Sequence, residues 1–337
     1  MPKVHNNQLN REYSADSTSI LMFSVVIPVY NKKREIIRCL ESCVSQTFTA
    51  FEIIVVDDGS TDGSGELAHQ FQDDRIGFWR TKNSGQGATR NFGIKKASGR
   101  YVAFLDADDT WAPEHLLELS MLINNHPDAT AASAQFAYIK KGQVKHPKFK
   151  NLLIRGDVIL NYIEVTAEQT SPIITNSICI RRDTLLAIGG FDESLPLAQD
   201  VDLWIRLHCS YDILHSLKTT SFYHIDSSNM VTKSSGRVAR YLLFIDKLTI
   251  YIADVKYSDH VNNLQKLRNG FLMSLAYVAA VEHDMKARNH IVSAYPHYWR
   301  LSTELVYQMT RFSTASTLAK FFLDAIKKAQ RLLQDWI

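Results

Sequence analysis

GRYVAFLDADD, Gly99 to Asp109, decides how the rest of the chain is read, because an apolar run there delivers three carboxylates to its carboxyl end. Tyr101 to Leu105 is short, continuously apolar and preceded by Gly99, the pattern of a strand buried on both faces of a parallel sheet. Ligands of such sheets bind beyond the carboxyl ends of the strands. Asp106, Asp108 and Asp109 therefore emerge where a ligand belongs, and their hard oxygens suit Mg2+ or Mn2+ carrying a phosphate. The same residues also fit a turn in which Asp caps a helix begun at Pro113.

Upstream, FSVVIPVYN (23–31) and FEIIVVDDGSTD (51–62) are two further apolar runs, each followed by a helical stretch. Ile76 to Trp79 reads as a short strand, and NSGQGATRNFGIKKASG (83–99) as a glycine-rich loop entering a helix. With the central run this makes four strands and three helices in alternation, which means βαβ units and a parallel sheet. Asp57 and Asp58 end the second strand. If it neighbours the central one, five acids share a rim, where burial is costly unless a cation or donor compensates. The alternative is an Asp-Gly turn with a helix cap at Ser60 or Thr61.

Downstream, Leu116, Leu119, Leu122 and Ile123 fall at helical spacing, and Ala129 to Ile139 reads as a strand. Lys140 to Lys150 is basic, turn-rich and expected on the surface. Ile173 to Ile180 is strand-like, and RRDTLLAIGGFDE (181–193) is a short helix ended by a Gly-Gly turn. AQDVDLWIRLH (198–208) opens a helix whose apolar side carries Leu203, Trp204 and Leu207, and Ser221 to Ile225 forms a last strand holding His224. The segments divide the chain into a lead-in (1–22), an α/β domain (23–235) and a helical C-terminal region (236–337).

The composition is that of a globular protein: 337 residues, 45% hydrophobic, with 38 basic against 35 acidic side chains. That balance gives no sign of a nucleic-acid partner. Four cysteines fit no disulfide framework or zinc knuckle, and Cys39 and Cys43 share a helix face as small core residues, so a reducing cytoplasm is expected. The N-terminus lacks a secretory pattern, and no apolar run reaches the roughly 20 residues of a membrane helix. Ser316 to Ile337 reads as a basic amphipathic helix, with Phe321, Phe322, Leu332 and Trp336 on one face and Lys320, Lys327 and Arg331 on the other. Such a helix suits peripheral contact with an anionic membrane surface; packing on the preceding helices or on a second subunit is the other use of that face.

VVIPVYN, VVDDGSTD, the NSGQGATRNFGIKKASG loop, YVAFLDADD and QDVDLWIRL occur in the order and rough spacing of family 2 glycosyltransferases with the GT-A fold. The chain resembles that family from Phe23 to Asp226. The resemblance implies a Rossmann-like, mixed but mainly parallel α/β sheet flanked by helices, with the C-terminal helices as an extension. It implies a UDP-sugar donor, with Pro28, Tyr30 and Asp58 on the uracil and Asn83 and Arg90 bordering the same pocket. Asp106 would meet ribose or metal, Asp108 would be the principal ligand of Mn2+ or Mg2+, and His224 would complete the metal or diphosphate site. Asp200 matches the family's general base, which takes the proton of the acceptor hydroxyl as its oxygen displaces UDP. Such a displacement inverts the anomeric centre, so an α-linked donor yields a β-linkage. The acceptor would be a glycan or lipid-linked intermediate of surface polysaccharide, O-antigen or capsule type. Gln199 stands where the family often has Glu, which leaves Asp202 as a rival base. SSNMVTKSSG (227–236) resembles a flap over the donor, and the QxxRW signature of processive synthases is absent.

Two other readings compete. FLDADDT satisfies the DxDxT pattern of haloacid-dehalogenase-like phosphatases, although that fold places the motif on its first strand and leaves DDGSTD without a task. A non-catalytic nucleotide-sugar-binding scaffold is the second, supported by Gln199. A dinucleotide-binding dehydrogenase needs GxGxxG after its first strand, and VYNKKRE contains none. The transferred sugar, a hexose or N-acetylhexosamine, is left to loops such as Lys140 to Thr170.

Overall fold

In the computed structural model, which describes residues 22–149, 152–159, 161–168, 171–227, 237–281 and 285–296, the four upstream runs are β1 (Phe23–Val29), β2 (Phe51–Asp57), β3 (Ile76–Arg80) and β4 (Tyr101–Phe104). They pair in parallel in the order β3-β2-β1-β4. The period of two is exact along them. Val26, Ile54, Val56, Val102 and Phe104 face one core, and Phe23, Val25, Ile27, Ile53, Val55, Tyr101 and Ala103 face the other. Both faces are covered, so no polar residue is needed in alternation and the runs read as continuously apolar. Helices α1 (Ile36–Val44), α2 (Ser64–Gln70) and α3 (Gln86–Lys96) make the connections.

One expectation needs correcting. β1 lies between β2 and β4, so the two acidic strand ends are not neighbours. They are separated by two strand spacings, about 10 Å. The end of β1 floors the gap with Pro28, Val29 and Tyr30.

Beyond β4 the sheet turns mixed. β10 (Ile178–Arg181) runs antiparallel to β4 and to β6 (Ala131–Lys140), and β11 (Ile213–His224) runs parallel to β6. β5 (Thr110–Trp111) pairs antiparallel with the end of β11, which draws the segment after the acids against His224. Short strands pair at the far edge, β7 (Gln143–Lys145) on β6, β8 (Ile154–Arg155) on β9 (Val158–Ile159) and β9 on β11, and helices α5 (Tyr162–Glu168) and α6 (Arg182–Ala187) stand either side of β10 in the chain. The strand read over Ile173 to Ile180 covers only its last residues. Thr175–Ser177 form a 3-10 turn instead, where the Ser177 hydroxyl accepts from the Ile174 N–H at 3.0 Å and replaces a ladder bond. The last strand is longer than its apolar end suggested, because register shifts between Ser216 and Ser221 break its alternation.

Helix α4 (His115–Asn125) buries Leu116, Leu119, Leu122 and Ile123 as spaced, on the same face as α1. On the opposite face lies α7 (Gln199–His208), whose Leu203, Trp204 and Leu207 are buried. Helices α8 (Arg237–Ala253) and α9 (Val261–Val281) follow, and Phe244, Leu248, Tyr251, Leu264 and Leu267 join the core that contains Trp204. Among the described residues no helix is long and apolar enough to cross a membrane. Residues 1–21, most of the SSNMVTKSSG segment and the whole 316–337 tail lie outside the described residues.

Three histidines in these layers make the fold acid-sensitive. Burial pushes His115 down to about 3 and His208 and His215 down to about 4, with His260 adding to the effect on His208. Each is neutral in the fold and titrates near its ordinary value of about 6.5 once unfolded. The unfolded chain then binds more protons, and stability falls as pH drops from about 6.5 toward 4. The melting temperature is expected to fall by about 10 °C or more between pH 7 and 4.5. A flat thermal profile over that interval contradicts this assignment.

Candidate active site

The carboxyl rim is built by carboxylates that divide into structural and open ones. Asp57 is structural: its Oδ2 accepts from Arg80 Nε at 2.7 Å and its Oδ1 from the Ser60 N–H at 3.1 Å. Asp58, buried, accepts from the backbone N–H groups of Ser84 at 2.8 Å and Gly85 at 3.0 Å. It thereby folds the 81–85 loop back over the strand end and sets the start of α3. Gly59 permits this. Its φ is +71°, and a Cβ there would sit 3.1 Å from the Asn83 nitrogen. Tyr30, just past the end of β1, is 46% accessible, and Asn83 is exposed on the folded loop.

On α3, Arg90 is buried and its Nη2 donates to Asp106 Oδ1 at 2.6 Å. Its guanidinium lies over the Phe191 ring at 5.2 Å, and its Nε has no partner among the described residues. A buried charged donor without an acceptor is costly, and this one belongs to the rim. Asp200, half-buried in the first turn of α7, lies within electrostatic reach of both Arg90 and Asp106. Burial raises the Asp200 carboxyl above the ordinary range and Asp106 adds to that, while Arg90 opposes it. The sheet and two helices thus bring Asp58, Arg90, Asp106, Asp108 and Asp200 to one rim.

Lys32 Nζ donates to Asp108 Oδ2 at 2.6 Å, and Arg38 Nη2 to the Asp108 carbonyl at 2.7 Å. Burial raises Asp108 above its ordinary range; Lys32 counters this and Asp106 adds to it. Asp109 is fully enclosed: its Oδ2 accepts from Asn176 Nδ2 at 2.7 Å and its Oδ1 from the His224 N–H at 2.9 Å. His224 itself stays neutral, burial pushing it down to about 4, and its Nε2 lies 3.0 Å from Thr110 Oγ1. Asp109 ties the short strand β5 to β11, and His224 sits on that tie. Lys32, Arg38 and Asn176 were not singled out from the sequence. For Lys32 the signal was there, a basic run immediately after VVIPVYN; for Asn176 there was none, since only the fold brings it to Asp109.

Asp202, the rival to Asp200, lies away from the rim. It is fully buried on the far side of α7, where it pairs with Arg206 at 2.8 Å and Lys247 at 3.0 Å and accepts from the Tyr251 hydroxyl at 2.6 Å. This network, with Lys247 also held by Asp192, clamps α8 onto the domain. Gln199 is buried too, its amide donating to the Leu195 carbonyl. A Cβ on Gly87 would meet the Gln199 amide at 2.8 Å, so this glycine lets α7 approach α3 and holds Asp200 near Arg90.

No group of three His, Cys, Asp or Glu side chains among the described residues forms an ion cage. The donor set nevertheless fits a divalent ion that arrives with its substrate, because Mg2+-type sites use one or two carboxylates plus substrate phosphates. Asp108, with one oxygen on Lys32 and Asp106 nearby, is such a carboxylate.

The sequence profile described as "Glycosyl transferase family 2" matches residues 24–184. An uncharacterized glycosyltransferase of Rickettsia bellii is 29% identical over 236 residues, covering 69% of this chain and 33% of that protein. The chain spans about a third of the length of the first curated relatives it matches. Among solved structures, S. aureus TarS 1-349 in complex with UDP-GlcNAc superposes with a TM-score of 0.59 at 20% identity, covering 83% of this chain and 79% of that one. The mannosyltransferase PcManGT from Pyrobaculum calidifontis, in complex with GDP-Man and Mn2+, gives 0.56 at 16% identity, covering 97% and 90%. These two share the fold: a parallel core extended into a mixed sheet and flanked by helices. Residues 24–184, which carry most of the acidic rim, match the glycosyl transferase family 2 profile, and the chain has the GT-A fold that these structures share.

Proposed function

We propose that the chain is an inverting, single-addition transferase that moves a hexose or N-acetylhexosamine from a UDP-sugar to a hydroxyl of a glycan or lipid-linked acceptor. The observation that carries the reading is the buried Arg90, paired to Asp106, unsatisfied at Nε and within reach of Asp200. Such a group is prepared for a polar ligand between β4 and α7. The UDP-GlcNAc in TarS supports a UDP-sugar, and the Mn2+ in PcManGT supports a divalent ion.

In this reading the uracil rests on Tyr30 and Pro28 and is held by Asp58, whose oxygens keep capacity beyond the two backbone donors. Asn83 and Arg90 border the pocket, and Asp106 meets the ribose or the metal. Asp108, with His224 on the same side, would hold Mn2+ or Mg2+, which would supply positive charge to offset that of the departing diphosphate. Asp200 accepts the acceptor proton; the acceptor oxygen bonds to the anomeric carbon, and the bond to UDP breaks on the opposite face. Its raised affinity for protons suits that role. The scaffold alternative loses its support, since Gln199 is used in packing α7 on α3. The four free cysteines support a reducing, cytoplasmic setting.

Calorimetric titration tests the reading. UDP is expected to bind at least about tenfold more tightly with Mn2+ than with chelator, as the ion joins protein to diphosphate. Lys32→Met is expected to tighten Mn2+ binding about fivefold, because a partly buried ion pair of about 1 kcal/mol no longer competes for Asp108. Equal UDP affinity in chelator contradicts the metal assignment; unchanged Mn2+ affinity in Lys32→Met contradicts the competition.

A further inference from the structure

Residues 129–156 contain six basic side chains, Lys140, Lys141, Lys145, Lys148, Lys150 and Arg155, and no Asp or Glu. This exceeds the net charge of the whole chain, +3. The fold gathers four of them on one projection. β6 turns back into β7 (Gln143–Lys145) through Lys141 and Gly142, with φ of 49° and 76°. Two consecutive positive φ values make the tight turn whose twist matches a hairpin. Every residue from Lys140 to His146 is exposed, as is Lys148.

The hairpin stands at the acidic rim. Ile139 is level with His224 in the parallel pairing of β6 and β11, and the His224 N–H donates to Asp109. The chain of β6 therefore leaves the sheet within one or two residues of the site, a step of about 3.3 Å each. Asp226 accepts from the Lys141 N–H at 2.7 Å and so fixes the turn. Phe136, Tyr138 and Tyr223 meet edge-to-face at 5.3 and 6.0 Å beneath it and make the base rigid. None of the four lysine side chains is in an ion pair among the described residues. β10 and β6 separate the hairpin from β4, so the positive charge lies on the side of the rim away from β1, β2 and α3, where the nucleotide is proposed.

We infer that the 140–148 hairpin is an acceptor-docking surface and that the acceptor is polyanionic, a glycan carrying repeated phosphate or carboxylate groups. This rests on the transferase reading and names the acceptor class for it. Fixed cations beside the rim raise the local concentration of a charged chain and orient it. Lysine does this as a point charge without demanding one geometry, and the attraction is screened over about 10 Å at 0.1 M salt.

The test measures binding of labelled inorganic polyphosphate and polygalacturonate to the full chain by fluorescence anisotropy. It compares wild type, a variant with Lys140→Gln, Lys141→Gln, Lys145→Gln and Lys148→Gln, and one with Arg at those four positions. The Gln variant is expected to lose about tenfold or more in affinity for at least one polyanion at low salt. The Arg variant should keep it, and melting temperature and UDP affinity with Mn2+ should not change. The polyanion bound more tightly identifies the charged group. Wild-type affinity of the Gln variant for both polyanions overturns the inference, as does full displacement of either by excess UDP, which would put the polyanion in the nucleotide pocket. Loss of binding to phosphatidylglycerol vesicles with polyanion affinity retained also overturns it and makes the hairpin a membrane contact. UDP titration is read separately, so failure of the nucleotide reading is distinguishable from failure of this one.

Discussion

Asp108→Ala is expected to lower sugar transfer by about 10³-fold or more, equivalent to about 4 kcal/mol of transition-state stabilisation. At the end of β4, Asp109 is enclosed by Asn176 and His224 and Asp106 is paired with the buried Arg90, while Asp108 has Lys32 on its Oδ2. On the proposed reading, its removal would leave the departing diphosphate without the ion that offsets its charge. The fold should suffer little, because burial and repulsion from Asp106 disfavour the Asp108 carboxylate and outweigh its pairing with Lys32. The expected signature is therefore lost UDP release with an unchanged or higher melting temperature and weaker Mn2+-dependent UDP binding. Asp109→Ala is the contrasting variant, since it breaks the β5–β11 tie and lowers the melting temperature. Transfer by Asp108→Ala at the wild-type rate rules out the role given to this residue.

Asp200→Asn is expected to keep UDP-sugar binding and lose about 10²-fold or more in turnover, because an amide does not accept the acceptor proton. Asp202→Asn separates this from a general disturbance of α7. Breaking a buried ion pair costs about 3 kcal/mol or more, and Asp202 holds Arg206, Lys247 and Tyr251 together. That variant should melt several degrees lower while its remaining folded fraction turns over at near the wild-type rate. Turnover lost in Asp202→Asn and kept in Asp200→Asn would reverse the two assignments.

The parallel half of the fold was legible because its strands are buried on both faces and so appear as unbroken apolar runs ending in Gly, Asn or Asp. What the sequence does not carry is lateral order: nothing in FSVVIPVYN says that it lies between the two acidic strands. The second half was read less well for a local reason. β11 changes register between Ser216 and Ser221, which scrambles the alternation that marks a half-buried strand, and Ser177 replaces a ladder bond with its own hydroxyl before β10. At the site, carboxylates on strand ends were visible from position alone, and their division of labour was not. Asp57 and Asp58 are adjacent, yet one pairs with Arg80 and the other caps a loop. Asp200 and Asp202 are two residues apart on one helix turn, which places them on opposite sides, one at the rim and one under α8. Helical geometry predicts that separation, but only the partners Lys247 and Tyr251, some fifty residues away, say which side is which.

The most direct test of the central claim is nucleotide release from a panel of UDP-sugars and GDP-sugars incubated with the full chain and Mn2+, followed for wild type and Asp200→Asn. The account predicts that UDP is released from at least one UDP-sugar, that GDP is released from none at a comparable rate, and that Asp200→Asn and chelator each suppress the signal. Release of GDP in preference to UDP, or no turnover of any UDP-sugar, would contradict it.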